Sequence, residues 1–129
     1  FDDGNVTIAG ALTQNSDATL KKNILPISSS ISSILALQGY HYQWKDGFKD
    51  QNLQSGFLAQ EVEKIYPHLV SKDEKGLRSV NYIGLMPYMV EEMKDQKRKY
   101  NVLSDEQKKK KNKYTDLEQR LKILEDKLR

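Results

Sequence analysis

From Met86 to Leu128 the chain keeps one heptad register without a slip, which commits its last third to a single long helix. With Met86 at position a, the a residues are Met86, Met93, Tyr100, Gln107, Tyr114, Leu121 and Leu128. The d residues are Met89, Gln96, Leu103, Lys110, Leu117 and Leu124. Such a stripe is the seam of a coiled coil. In a parallel alignment each g residue meets the e residue five positions on in the neighbour. Four of the five pairs that can be tested are complementary: Glu92 with Lys97, Glu106 with Lys111, Lys113 with Glu118 and Arg120 with Glu125. Exposed pairs of this kind contribute about 0.2 to 1 kcal/mol each, so they set orientation and register more than stability. Gln96, Gln107 and Lys110 interrupt the apolar seam and weaken its middle. The a and d residues do not decide between two strands and three. A helix packed on its own domain would need neither the sustained register nor the matched flanking charges.

Pro87 falls where a first helical turn tolerates proline, which places the expected helix start close to Leu85. Upstream, alternation over residues 5–10 suggests a short strand. After Pro26 a helix is expected, with Ser28, Ser29 and Ser30 as capping hydroxyls, Ile27, Ile31, Ile34 and Leu35 at helical spacing, and Gly39 as its end. Tyr40, Tyr42 and Trp44 alternate with His41, Gln43 and Lys45 as in a strand. A loop through Asp46 and Gly47 leads to a helix over 58–66, with Leu58, Val62 and Ile65 on one stripe and Pro67 as its stop. Leu69-Val70 and residues 78–82 flank Asp73-Glu74-Lys75-Gly76 as a hairpin. The fold class is α+β: a small mixed globular domain followed by a long helix.

Charge follows the same division. Residues 1–83 carry 8 basic and 9 acidic side chains, whereas residues 84–129 carry 13 and 9. A basic segment beside heptads invites comparison with a DNA-reading zipper, with Lys108 to Lys111 on phosphates. These lysines lie inside the heptads among acids, however, so they read as a solvated face. The chain has no cysteine, and His41 and His68 form no metal-ligand spacing. No glycine-rich phosphate loop is present, and Gly56 reads as a backbone requirement ahead of the helix. No apolar run approaches the roughly 20 residues that span a bilayer. Neither a cofactor, a metal, nucleic acid nor a membrane is expected as a partner. A start at Phe1 suggests a piece of something longer.

Asn15-Ser16-Asp17-Ala18-Thr19-Leu20-Lys21-Lys22-Asn23 occurs together with Gly56-Phe57-Leu58-Ala59-Gln60-Glu61-Val62. Leu37 to Lys45, Pro67-His68-Leu69-Val70 and Val80-Asn81-Tyr82 complete the set. Over roughly residues 15–95 this combination resembles the intramolecular chaperone domain of phage tailspikes, tail fibres and neck appendages, also classed as S74 self-cleaving peptidases. The resemblance implies a homotrimer whose terminal helix is a trimeric coiled coil. It also implies assistance to the fibre segment upstream and autoproteolysis at Ser16-Asp17. Residues 1–16 would then end the upstream segment, 17–84 form the globular chaperone and 85–129 the coil. The setting implied is the host cytoplasm during phage assembly, with the released chaperone absent from the virion. The alternative is a permanent trimerisation module that never cuts.

The resemblance maps Ser16 as nucleophile and Lys21 as its base partner, with His41, Gln60 and Glu61 as candidate supporting residues. A serine hydroxyl needs such a base, and the tetrahedral intermediate needs donors. At an ordinary pKa of about 10.4, roughly one lysine in two thousand is neutral at pH 7, so Lys21 must be desolvated or pressed by a like charge. Lys22 would press it and Asp17 would oppose. Five positions along a helix or a strand carry a side chain to about the opposite face. Hence either a turn folds Lys21 back to Ser16, or two chains complete the pair. Attack by Ser16 on its own carbonyl closes a four-membered ring, and attack on the Asn15 carbonyl cuts one bond early. The Asp17 carboxylate, or Ser16 of another chain, would also cut Ser16-Asp17.

Overall fold

The computed structural model describes residues 6–28 and 34–129. It divides into two compact units, Phe1–Met89 and Val90–Arg129. In chain order the regular elements are β1 (Tyr40–Tyr42), β2 (Gln54–Gly56), α1 (Ala59–Ile65), β3 (Val70–Lys72), β4 (Arg78–Val80) and α2 (Tyr82–Lys127). Single 3-10 turns lie at Ala18–Leu20, Ile34–Ala36 and Pro67–Leu69. The chain is mixed α and β, with short strands and a long terminal helix.

Both sheets are two-stranded and antiparallel. β1 pairs with β2 in the register Tyr40 to Gly56, His41 to Ser55 and Tyr42 to Gln54. β3 pairs with β4 in the register Val70 to Val80, Ser71 to Ser79 and Lys72 to Arg78. The expected hairpin is present. Asp73 organises its turn, accepting at Oδ1 from the N–H of Lys75 and of Leu77 (2.9 and 2.8 Å). Gly76 takes φ of 79° there, a left-handed conformation that favours glycine. Isolated two-stranded hairpins are marginal in water, so each needs a helix against it. α1 serves β3 and β4: Glu63 bridges Lys72 and Arg78, at 2.6 Å each.

The buried core among the described residues is Val62, Tyr66, Leu69 and Leu85. Ile34, Leu37, Phe57, Ile65, Val70, Val80 and Tyr88 pack around it. The 3-10 turns at Ile34 and Pro67, α1, β3, β4 and the start of α2 thus contribute, with Leu37 and Phe57 from the connecting segments. Such a core is small for its chain, as the polar terminal third requires.

Four expectations are corrected. Among the described residues the segment expected as a first strand, residues 6–10, is irregular and exposed, with no strand beside it to pair with. The helix expected after Pro26 is reduced, at its described end, to the 3-10 turn Ile34–Ala36, and Ile27 and Ser28 are not helical. Ser29, Ser30 and Ile31 lie outside the described residues. β1 ends at Tyr42 rather than Lys45, and its partner β2 lies where only loop was expected. Finally, α2 starts at Tyr82 instead of Leu85, so Pro87 sits inside the helix. Asn81 caps the earlier start, its Oδ1 accepting from the Gly84 N–H at 2.9 Å.

Beyond Met89 the helix continues to Lys127 without interruption. The apolar a and d residues are all exposed along the single chain, from 47% at Leu117 to 88% at Leu128. Ion pairs lace its surface one turn apart, including Lys99 with Asp95 at 2.6 Å and Arg120 with Asp116 at 3.6 Å.

Candidate functional site

Asp17 sets the local geometry of the Ser16 segment. Its Oδ1 accepts from the Thr19 N–H at 2.8 Å and from the Thr19 hydroxyl at 2.7 Å. That is N-cap geometry, and it starts the 3-10 turn Ala18–Leu20. The turn closes with Leu20 N–H on the Asp17 carbonyl and Lys21 N–H on the Ala18 carbonyl, at 3.2 and 3.1 Å. The two donors of Thr19 hold the Asp17 carboxyl below its usual range.

The chain leaves the turn extended at Lys21, and the Lys21 ammonium donates to Ser16 Oγ at 2.7 Å. A turn therefore folds Lys21 back within one chain, the first of the two arrangements that the spacing permits. Ser16, Asp17, Thr19, Lys21 and Lys22 are all exposed. A lysine acts as a base only after losing the water that stabilises its charged form. The chain by itself does not supply that shielding.

The other candidates gather on β1, β2 and α1. His41 Nδ1 lies 2.8 Å from Ser55 Oγ across the β1–β2 ladder. One register position away the Tyr40 hydroxyl donates to Glu61 Oε1 of α1 at 2.8 Å. That hydrogen bond to Glu61 raises the Tyr40 phenol above its ordinary value. Gln60 is exposed on α1. Among the described residues no hydrogen bond joins Ser16 or Lys21 to His41, Gln60 or Glu61. The structure thus holds two separate groups of polar side chains, and no group of three or more His, Cys, Asp or Glu among the described residues could hold a metal ion.

Three contacts were not foreseen in the sequence. Ser55 as the partner of His41 had no local signal, because the pairing follows from the β1–β2 register. Thr19 did have one: an aspartate two positions before a threonine is a turn cap in the making. Tyr82 had none, yet its hydroxyl accepts from the Phe57 N–H at 2.9 Å. It also explains Gly56, where an added Cβ would lie 2.5 Å from the Tyr82 hydroxyl. The glycine is required for space beside its Cα.

In sequence order the described chain is therefore a small mixed module with a serine-lysine pair before its two hairpins and a long helix bearing exposed apolar residues after them. Residues 16–71 match the Peptidase S74 family, described as chaperone of endosialidase. Over this segment, which opens on Ser16, the chain is similar to that family. It is 32% identical over 82 residues to the long tail fiber protein Gp37 of Salmonella phage S16, covering 57% of this chain and 11% of that protein. The Gp37 of Escherichia phage AR1 is 32% identical over 78 residues, 55% of this chain and 7% of that protein. An uncharacterized protein of Dictyostelium discoideum is 38% identical over 73 residues, 51% of this chain and 6% of that protein. The chain thus spans 6% to 11% of the length of these relatives.

Proposed function

We propose that this chain is the C-terminal intramolecular chaperone of a phage fibre or appendage, which trimerises, assists folding of the segment upstream and releases itself at Ser16-Asp17. The observation that carries this reading is the 2.7 Å hydrogen bond between Lys21 Nζ and Ser16 Oγ at the first residue of the family match. Ser16 is the nucleophile and Lys21 the group that takes its proton, while Thr19 and Asp17 hold the turn that joins them.

Residues 85–129 form the parallel homotrimer. Their apolar a and d side chains remain exposed in one chain, and burying such surface stabilises by about 25 cal/mol per Å². Pairing of helices is fast, whereas intertwined β fibres depend on slow non-local contacts. A coil that registers three chains first removes much of that closure cost. The exposed serine-lysine pair gives assembly a second role. Packing of neighbouring chains around Lys21 supplies the missing shielding, so cutting follows assembly and spares the monomer. The reaction takes place in the host cytoplasm, and the released chaperone is left out of the virion.

Exposure of Ser16 and Lys21 is what favours the second reading, a permanent trimerisation module without proteolysis. Ser16→Ala and Lys21→Ala separate the two. Each is expected to abolish cutting on denaturing gels while light scattering still reports a trimer. Uncut wild-type trimers would select the permanent module, and a monomer at tens of micromolar would remove the coil from the account.

A further inference from the structure

Pairing of Ser16 with Lys21 inside one chain restricts which peptide bond that hydroxyl can reach; the argument rests on the reading that the chain cuts itself at Ser16-Asp17. Oγ, Cβ, Cα and the carbonyl carbon of a serine are consecutive atoms. Attack on its own carbonyl would close a four-membered ring and bend each angle by roughly 20° from tetrahedral, far outside the range that chain angles span. The Asn15 carbonyl is reached through an unstrained five-membered ring. That route breaks Asn15-Ser16, and its product begins at Ser16.

Asp17 does not replace the serine. Both Thr19 donors lie on its Oδ1, at 2.8 and 2.7 Å, and commit the carboxylate to the turn that follows, whereas the Ser16 carbonyl carbon precedes it. A carboxylate held charged by two donors is also a weaker nucleophile. What remains is a serine with its base already in place and no bond of its own to cut at the required position.

We infer that each Ser16-Lys21 pair, assembled within one chain, cuts the Ser16-Asp17 bond of a neighbouring copy. With Lys21 as the neutral amine, Nζ takes the hydroxyl proton while Oγ bonds to the neighbour's Ser16 carbonyl carbon. The tetrahedral adduct collapses as the bond to the neighbour's Asp17 nitrogen breaks. Lys21 returns the proton to that nitrogen, which becomes a free N-terminal amine. Water then hydrolyses the ester on Oγ, restoring the serine and leaving a carboxylate on the neighbour's Ser16. In a threefold arrangement every chain both cuts and is cut, so the monomer is inert because its target lies in another chain.

Two mixtures of full-length chains, distinguished by tags of different size and co-expressed so that mixed trimers form, test the inference. Native mass spectrometry establishes the mixed trimers. In wild type with Ser16→Ala, the Ser16→Ala chain, which stays whole in its own homotrimer, should be cut at the same bond. In Ser16→Ala with Lys21→Ala, no chain should be cut, because neither holds a complete pair. Ser16→Ala chains that stay whole in mixed trimers containing cut wild-type chains would overturn action between chains. Cutting in the second mixture would show that the base comes from a neighbour and overturn the pairing within one chain. A product beginning at Ser16 would show the five-membered route instead. Absence of cutting in wild type alone is the separate failure of the cleavage reading itself.

Discussion

Gly56→Ala should destabilise the globular unit through one contact. The added Cβ would lie 2.5 Å from the Tyr82 hydroxyl, about 0.9 Å short of the 3.4 Å at which ordinary contact begins. Tyr42 stands at an ordinary 3.5 Å, so Tyr82 takes the displacement. Its hydroxyl accepts from the Phe57 N–H at 2.9 Å, and its ring stacks on Phe57 with centroids 6.1 Å apart. Moving the ring loses that hydrogen bond, a net cost of about 1 kcal/mol at a solvent-accessible position. The disturbed stacking adds about 0.5 kcal/mol. We expect a loss of about 1 to 2 kcal/mol for Gly56→Ala. Tyr82→Phe removes the obstructing oxygen, so in that background Gly56→Ala should cost about 1 kcal/mol less, a coupling well above the scatter of independent sites. Trp44, the single tryptophan, packs edge-on against Tyr42 at 5.3 Å and reports unfolding of this unit by fluorescence in urea. Equal costs in the two backgrounds would refute the assignment of Gly56 to the space that Tyr82 needs.

Glu63 gives the unit an acid-sensitive element. Lys72 and then Arg78, each hydrogen-bonded to it, hold its carboxyl below the ordinary range. The contribution is therefore present above the unfolded carboxyl pKa of about 4.3 and lost as pH falls through the folded value. Glu63→Gln should lower the urea midpoint at pH 7 and leave a flatter acid limb. Asn81→Ala removes the cap on the Gly84 N–H and should cost about 1 kcal/mol, read from thermal unfolding. Thr19→Ala removes the hydroxyl donor to Asp17 Oδ1 and leaves only the backbone N–H there, so it should loosen the turn and slow cutting with the trimer intact. Thr19→Ser keeps both donors and should restore the rate, which a purely steric role for the threonine methyl would not do.

Legibility in the sequence followed the range of the interactions. The long helix was plain because the heptad repeats locally six times from Met86 to Leu128, and the 73–76 turn was plain because Asp73 and Gly76 carry its chemistry themselves. α1 was bounded by Pro67. β2 was hidden: Gln54-Ser55-Gly56 has none of the branched or aromatic residues that mark strands, and only pairing with Tyr40–Tyr42 makes it one. The helix start was misplaced because Asn81 reads equally well as the end of a strand, while Pro87 pulled the boundary towards Leu85. At the candidate site, five positions between Ser16 and Lys21 ruled out a regular element, and the Asp17-x-Thr19 pattern carried the turn that replaces it. His41 and Ser55 meet only through sheet register, which spacing alone does not encode.

Intact mass of the purified full-length chain, followed over time after assembly, tests the central claim most directly. The account predicts two products, one ending at Ser16 and one beginning at Asp17, and neither from Ser16→Ala. A wild-type chain that assembles into trimers and keeps its full mass indefinitely would contradict it.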